Sequence, residues 1–232
     1  APWIWGAGGD FISPDEKEAR FNTEESLNGI EYFMNLIANG YISKEALALT
    51  TEEVARAFFF KGEFSMSIPG PLSLSSPFDP ANPLYLEEIA TNCASSLFPE
   101  GPKGRFIFCG GSNLAVTSFS KNPEQAWEFV KHLTSYESQS RYPRALNMFP
   151  AILEYFDALF IAEERAEWKG LKNAWKYGRS FPNVAAWGAI EVLLIECFGK
   201  NFARMREGIY NFSLVKDDLD TVAYDIEELL GR

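Results

Sequence analysis

The sequence predicts an α/β fold. Several segments place apolar residues on a single helical face, and two short segments behave as strands do. These two kinds of segment follow one another along the chain. Residues 1–13 are aromatic and glycine-rich with little regular pattern, and alternation would set Trp3 and Trp5 on the same side of an extended segment. Asn22 and Glu25 have capping-box spacing for a helix to about Ala38, with Leu27, Ile30, Phe33, Met34 and Ile37 on one face and Asn39-Gly40 as its stop. Thr50 and Glu53 cap a second helix to about Phe60, closed by Gly62. Phe64, Met66 and Ile68 then alternate as in a strand that Pro69-Gly70-Pro71 ends. Residues 73–103 read as loop with one short helix near Leu84–Ala90.

Gly110–Val116 reads as a glycine turn and a short strand. A helix follows, with Asn122 as its cap, Pro123 at its first position, Gln125 as capping-box partner, and Ala126, Trp127, Val130 and Leu133 on its apolar face. Ser135–Asn147 is a polar helix, Met148–Ala151 a turn, and Leu153–Tyr177 two helical stretches. Phe181–Trp187 is a loop and Gly188–Phe198 a helix. Asp217–Leu230 is a last amphipathic helix on Leu219, Val222, Ile226 and Leu229. There is no internal repeat.

The 232 residues suffice for one large domain or parts of two. Apolar residues make up 47 %, as in a globular chain, and 20 phenylalanines supply an aromatic core. No run reaches the roughly 18 apolar residues of a membrane-spanning helix. The net charge of -11 repels a phosphate backbone, which argues against a nucleic-acid partner. Cys93, Cys109 and Cys197 form no Cys-x-x-Cys pair and read as small buried apolar residues. The single histidine, His132, has no neighbouring Cys or His with which to share a metal.

Four segments carry a resemblance. They are Trp5-Gly6-Ala7-Gly8-Gly9-Asp10, Phe60-Lys61-Gly62-Glu63-Phe64-Ser65-Met66-Ser67-Ile68-Pro69-Gly70-Pro71, Gly110–Val116 with Ser120-Lys121-Asn122-Pro123-Glu124-Gln125-Ala126-Trp127-Glu128-Phe129, and Pro182-Asn183-Val184 leading to Trp187. In this order, over nearly the whole chain, they resemble the second part of the extracellular solute-binding proteins of ABC transporters, in particular the sugar-binding family. Leu72 departs from the pattern, since the family usually has tryptophan there. The chain begins Ala1-Pro2 with no initiator Met, charged n-region or apolar signal core. The resemblance therefore implies the carboxy-terminal portion of a longer chain, with a two-lobed, periplasmic-binding-protein-like α/β architecture incomplete at its N-terminal side. Residues 1–104 would be part of lobe 2, residues 105–160 part of lobe 1, and residues 161–232 a return to lobe 2. Pro99-Glu100-Gly101-Pro102-Lys103-Gly104 would be the first crossing.

That resemblance implies capture of a sugar or oligosaccharide and its delivery to ABC transporter permease subunits by hinge closure, in the periplasm or outside the cell. The membrane would be met only through the permease or a lipid anchor in the missing part. No cofactor, metal or catalysis is implied. A sugar site needs aromatic rings for C–H faces and planar polar groups for hydroxyls. The candidate ligand-binding residues are Trp5, Asp10, Gly110, Gly111, Ser112, Arg179 and Trp187. Each has a plainer alternative: core packing for Trp5 and Trp187, a turn or helix cap for Asp10, turn geometry for the glycines, and an exposed surface position for Arg179. Trp127 reads as core, and Trp168 and Trp175, seven apart in one helix, as packing residues. The rings of Trp5 and Trp187 should be partly exposed on a concavity bordered by Gly110-Gly111.

Two rival readings are a free-standing carbohydrate-binding module and a glycoside-active enzyme. The enzyme needs two carboxylates about 5–10 Å apart. Thirty-two acidic residues supply such a pair by chance, while Gly-x-Ser-x-Gly, His-Glu-x-x-His and P-loop motifs are absent.

Overall fold

A computed structural model describes residues 1–50, 54, 61–68, 70, 86–146, 148–152, 154–155 and 166–231. In chain order the elements are α1 (Pro2–Ala7), α2 (Glu24–Ala38), a 3-10 turn (Glu45–Ala48), α3 (Glu87–Asn92), β1 (Ile107–Phe108), α4 (Pro123–Thr134), α5 (Tyr136–Ala145), α6 (Ala166–Ala174), a second 3-10 turn (Trp175–Tyr177), β2 (Gly178–Arg179), α7 (Trp187–Arg206) and α8 (Phe212–Leu229). Contacts divide the chain into two compact units. The first holds Ala1–Leu49, Phe98–Gly110 and Ala174–Arg232, and the second holds Thr50–Leu97 and Gly111–Asn173.

In the first unit, residues 2–7 are helical rather than extended. Pro2 suits the first helical position because its missing N–H would have had no partner there. Gly8 closes the helix at φ 99°, donating its N–H to the Trp5 carbonyl at 3.0 Å. Trp3 and Trp5 therefore point about 200° apart around the helix axis, not to one side. Trp5 enters the core, while Trp3 packs on the rings of Tyr32, Phe33 and Phe98.

Helix α2 starts one residue later than a cap at Asn22 requires. Thr23 holds the cap position, and the Asn22 amide instead donates to Asp220 of α8 at 2.9 Å. Its stripe is as expected: Ile30, Met34 and Ile37 are buried. Gly29 lets α1 approach closely, since a Cβ there would stand 2.3 Å from the Trp3 carbonyl oxygen. The segment after Phe98 approaches α1 in the same way, with Lys103 N–H donating to the Gly6 carbonyl at 2.9 Å.

Helix α7 continues eight residues past Phe198. Asn201 is 2 % exposed but satisfied, its Nδ2 donating to the Cys197 carbonyl at 2.9 Å and to Asp218 Oδ2 at 3.1 Å. Helix α8 begins at Phe212, five residues before Asp217, because Asn211 caps it by accepting from Ser213 N–H at 2.9 Å. Val215, Leu219, Ala223 and Ile226 face a core that also holds Trp5, Phe21, Ile190 and Met205.

The strand expected within Gly110–Val116 lies before the glycines instead. β1 pairs in parallel with β2, Ile107 opposite Gly178 and Phe108 opposite Arg179. A strand forms where a ladder partner exists, and residues 111–116 form no ladder. Residues 62–68 are likewise not a strand, and Met66 and Ile68 are largely exposed. The helix expected over 50–60 and the departure at Leu72 lie outside the described residues, except for Thr50 and Val54. The short helix near Leu84 is described from Glu87 to Asn92.

In the second unit, α4 starts at Pro123 with Asn122 in the cap position, but the Asn122 side chain makes no cap bond. Trp127 is 55 % exposed, which corrects its reading as a core residue. The covered edge of α4 runs through Ala126, Val130 and Leu133, and Trp127 stands about 100° off that edge. Buried Gln139 of α5 ties two segments together. Its Nε2 donates to the Leu133 carbonyl and its Oε1 accepts from Ala151 N–H, each at 2.8 Å. Gly170 of α6 donates to Ser95 Oγ at 2.8 Å. Trp175 falls in the second 3-10 turn, not in a helix continuous with Trp168.

Candidate functional site

Two loops of the first unit meet at a cleft. One follows α1. There Ile12 bridges Ala19 in antiparallel fashion, and the Ser13 hydroxyl accepts from Lys17 N–H at 3.2 Å and Glu18 N–H at 3.0 Å. Glu16 makes the tight bend at φ 63°. The other loop leaves β2 at Arg179 and runs to α7. Between them lies a cavity of about 260 Å³ lined by Asp10, Ser13, Glu16, Arg179, Ser180 and Asn183, among others.

The Asp10 carboxylate is the hub. Its Oδ1 accepts from the Trp5 indole N–H at 3.3 Å and from Phe11 N–H at 2.9 Å. Its Oδ2 accepts from Arg179 Nη2 in an ion pair. The Arg179 guanidinium lies 5.0 Å from the centre of the Trp5 ring and 6.0 Å from that of Phe106, within cation–π range. An aromatic cluster adjoins the pair through Trp5, whose ring lies 5.9 Å from Phe11 and 6.2 Å from Phe181, although Phe11, Phe181 and Trp187 are not among the residues that line the cavity. Phe181 stacks on Trp187 at 4.9 Å and 25°, and Phe11 meets both rings edge-on, 5.5 Å from Phe181 and 5.8 Å from Trp187.

Four of the seven candidates, Trp5, Asp10, Arg179 and Trp187, thus belong to one connected group. Trp5 differs from expectation in one respect: it is 1 % exposed, so its ring supports Arg179 from beneath instead of offering an open face. The reason is the helical α1, which turns Trp5 inward. Trp187 is half-buried at the first position of α7. Gly110 ends the segment beside Phe108, whose ring lies 4.5 Å from Phe181. Gly111 and Ser112 are exposed and belong to the second unit. Reading the sequence alone missed Phe11, Phe181, Ser13, Glu16 and Asn183. Asn183 lies within a quoted motif and Phe11 and Phe181 adjoin two of them, while nothing in the sequence singled out Ser13 or Glu16.

The chemistry on offer is polar recognition. Among the described residues no group of three His, Cys, Asp or Glu side chains could hold a metal. His132 is exposed on α4, with Nε2 3.4 Å from Ser138 Oγ. Of the three cysteines, Cys197 is buried, while Cys93 and Cys109 are only half-buried. Burial, helped by the nearby Asp218 carboxylate, pushes the Cys197 thiol up to about 11, so it stays protonated at neutral pH. No helix among the described residues is long and apolar enough to cross a membrane.

Residues 1–140 match a family model described as bacterial extracellular solute-binding protein. Over 140 residues the chain is 27 % identical to a probable ABC transporter-binding protein of Deinococcus radiodurans, covering 60 % of this chain and 32 % of that protein. Among solved structures, it is similar to an ABC transporter solute-binding protein of Thermotoga lettingae bound with α-D-tagatose. The TM-score is 0.72 at 20 % identity, over 99 % of this chain and 55 % of that one. It is also similar to the sugar-binding protein MalE of Xanthomonas citri, with a TM-score of 0.75 at 15 % identity, over 98 % of this chain and 55 % of that one. The chain thus spans about a third of the curated relative and just over half of these two solved proteins. At such identities the structural likeness establishes the fold, which is the α/β periplasmic-binding-protein type.

Proposed function

We propose that this chain, which belongs to the bacterial extracellular solute-binding protein family, helps capture a sugar or oligosaccharide outside the cell membrane and present it to the permease of an ABC transporter. The observation that carries the proposal is the convergence of Asp10 and Arg179, 169 residues apart, at one cleft, with the Phe181 and Trp187 rings stacked on each other nearby in the loop that follows Arg179. Aromatic rings suit the C–H faces of a sugar, and guanidinium, amide and hydroxyl groups suit its hydroxyls. Trp187, Arg179 and Asn183 would meet the ligand directly, with Asp10 and Trp5 holding Arg179 in place. Gly110, Gly111 and Ser112 would add backbone N–H groups and a hydroxyl.

Binding rather than catalysis is the chemistry of this proposal, and it calls for no cofactor. Two lobes would close on the ligand about a hinge, and the permease would recognise the closed form. Residues 1–104 and 161–232 would serve one lobe and residues 105–160 the other. The compact units divide the chain differently: they change over at 49/50, 97/98, 110/111 and 173/174, so residues 50–97 group with residues 111–173 and not with the rest of residues 1–104. The protein would work in the periplasm or outside the cell, held near the membrane by the permease or by a lipid anchor. A thermal-shift screen of the protein against neutral mono- and oligosaccharides tests this. A concentration-dependent rise in Tm with at least one of them is expected, and a flat response across the panel refutes it.

A further inference from the structure

The sugar reading leaves open which sugars the cleft accepts, and its charges bear on that. Of the described residues lining it, Arg179 is the only cation, while Asp10 and Glu16 are carboxylates. The cation is already engaged. Arg179 donates to Asp10 Oδ2, and Asp10 is itself fixed by the Trp5 indole N–H and the Phe11 N–H. The guanidinium also lies 5.0 Å from the centre of the Trp5 ring, a second contact that favours its present position. Both side chains keep about a third of their surface open, 38 % for Arg179 and 32 % for Asp10, so the pair faces the cleft instead of lying beneath it.

A ligand carboxylate entering here would have to share a spent cation and face two carboxylates of like sign. Like-charge juxtaposition works against binding even where shape fits. An uncharged polyol meets no such barrier. It needs only the remaining Arg179 N–H groups, the Asn183 amide and the Ser180 hydroxyl.

We infer that Asp10 is a specificity-determining residue, the internal counter-ion of Arg179, which suits the cleft to an uncharged polyhydroxylated ligand and turns away the matching sugar acid. This rests on the reading of the cleft as a sugar site, and the test separates the two. Calorimetry compares matched pairs, galactose with galacturonate and glucose with glucuronate, on the wild-type protein and on Asp10→Asn. The wild type should bind the neutral member more tightly in any pair where binding is seen. Asp10→Asn should move the acid-to-neutral affinity ratio toward the acid by about tenfold or more, the effect of one newly available charged hydrogen-bond donor. Adding Arg179→Gln should cancel that gain. A wild type that prefers the acid, or a ratio unmoved by Asp10→Asn, overturns the inference.

Should no member of any pair bind the wild type, the sugar reading fails on its own. The counter-ion role is then read from the Arg179 guanidinium resonances during a sodium acetate titration. A response confined to Asp10→Asn supports it, and an equal response in both proteins overturns it. Should Asp10→Asn not fold, Glu16→Gln at the exposed turn carries the same test. It should shift the ratio toward the acid by a smaller factor, and an unmoved ratio counts against the inference.

Discussion

Trp5 belongs to the core and holds the Asp10–Arg179 pair that lines the cleft. Its ring is 1 % exposed, its indole N–H reaches Asp10, and its face carries Arg179. Replacing it by alanine leaves a large cavity and removes a donor, so Trp5→Ala should lower the unfolding free energy by about 3–5 kcal/mol in urea titrations. Asp218 makes a different kind of contribution. Burial pushes its carboxyl up, but hydrogen bonds from Lys200, Arg204 and Asn201 together outweigh that and hold it below the ordinary carboxylate range. A carboxyl depressed in the folded state adds stability at pH above the ordinary carboxylate range. That stability is lost as pH falls through the folded-state value. Acid titration of stability should therefore show a loss on acidification that Asp218→Asn lacks. Equal acid sensitivity in both proteins would contradict this role.

At the scale of elements, two glycines in helices make opposite predictions. Gly29 of α2 faces the Trp3 carbonyl so closely that a Cβ would sit 2.3 Å away. Gly29→Ala should destabilise by about 1–3 kcal/mol despite alanine's better helix propensity, because overpacking wins where backbone blocks the way. Gly199 of α7 has nothing within 4 Å of such a Cβ, so Gly199→Ala should stabilise by about 0.5–1 kcal/mol. Thermal unfolding of the pair checks both signs. The interior of α2 was legible in the sequence because a 3.6-residue stripe is a local signal, whereas the stripes of α4 and α8 were read only in part, since Trp127 and Leu229 are exposed. The ends were not legible. Thr23 displaced Asn22 at the α2 cap because Asn22 is drawn to Asp220, a tertiary contact nearly two hundred residues away. Helix α1 was missed because six residues are too few to show a 3.6-residue stripe, and two tryptophans two positions apart read as strand-like alternation. The strands, at two residues each, are too short to show any period. In the cleft, the individual residue types were legible but their pairing was not. Nothing local links Asp10 to Arg179; the parallel pairing of β1 and β2 sets where Arg179 stands.

For the whole molecule, family membership and fold agree, and the chain spans just over half of two solved proteins of that fold. The proposed function rests on the cleft in the first unit, where the Asp10–Arg179 ion pair adjoins an aromatic cluster of Phe11, Phe181 and Trp187. Isothermal titration calorimetry of the full-length protein, wild type beside Trp187→Ala and Arg179→Ala, tests this most directly. Saturable binding of at least one neutral sugar is predicted, weakened by about tenfold or more in each variant, as the loss of one stacking or charged hydrogen-bonding contact implies. Absence of binding across the sugar panel, or binding that both variants leave unchanged, would contradict the assignment of this cleft.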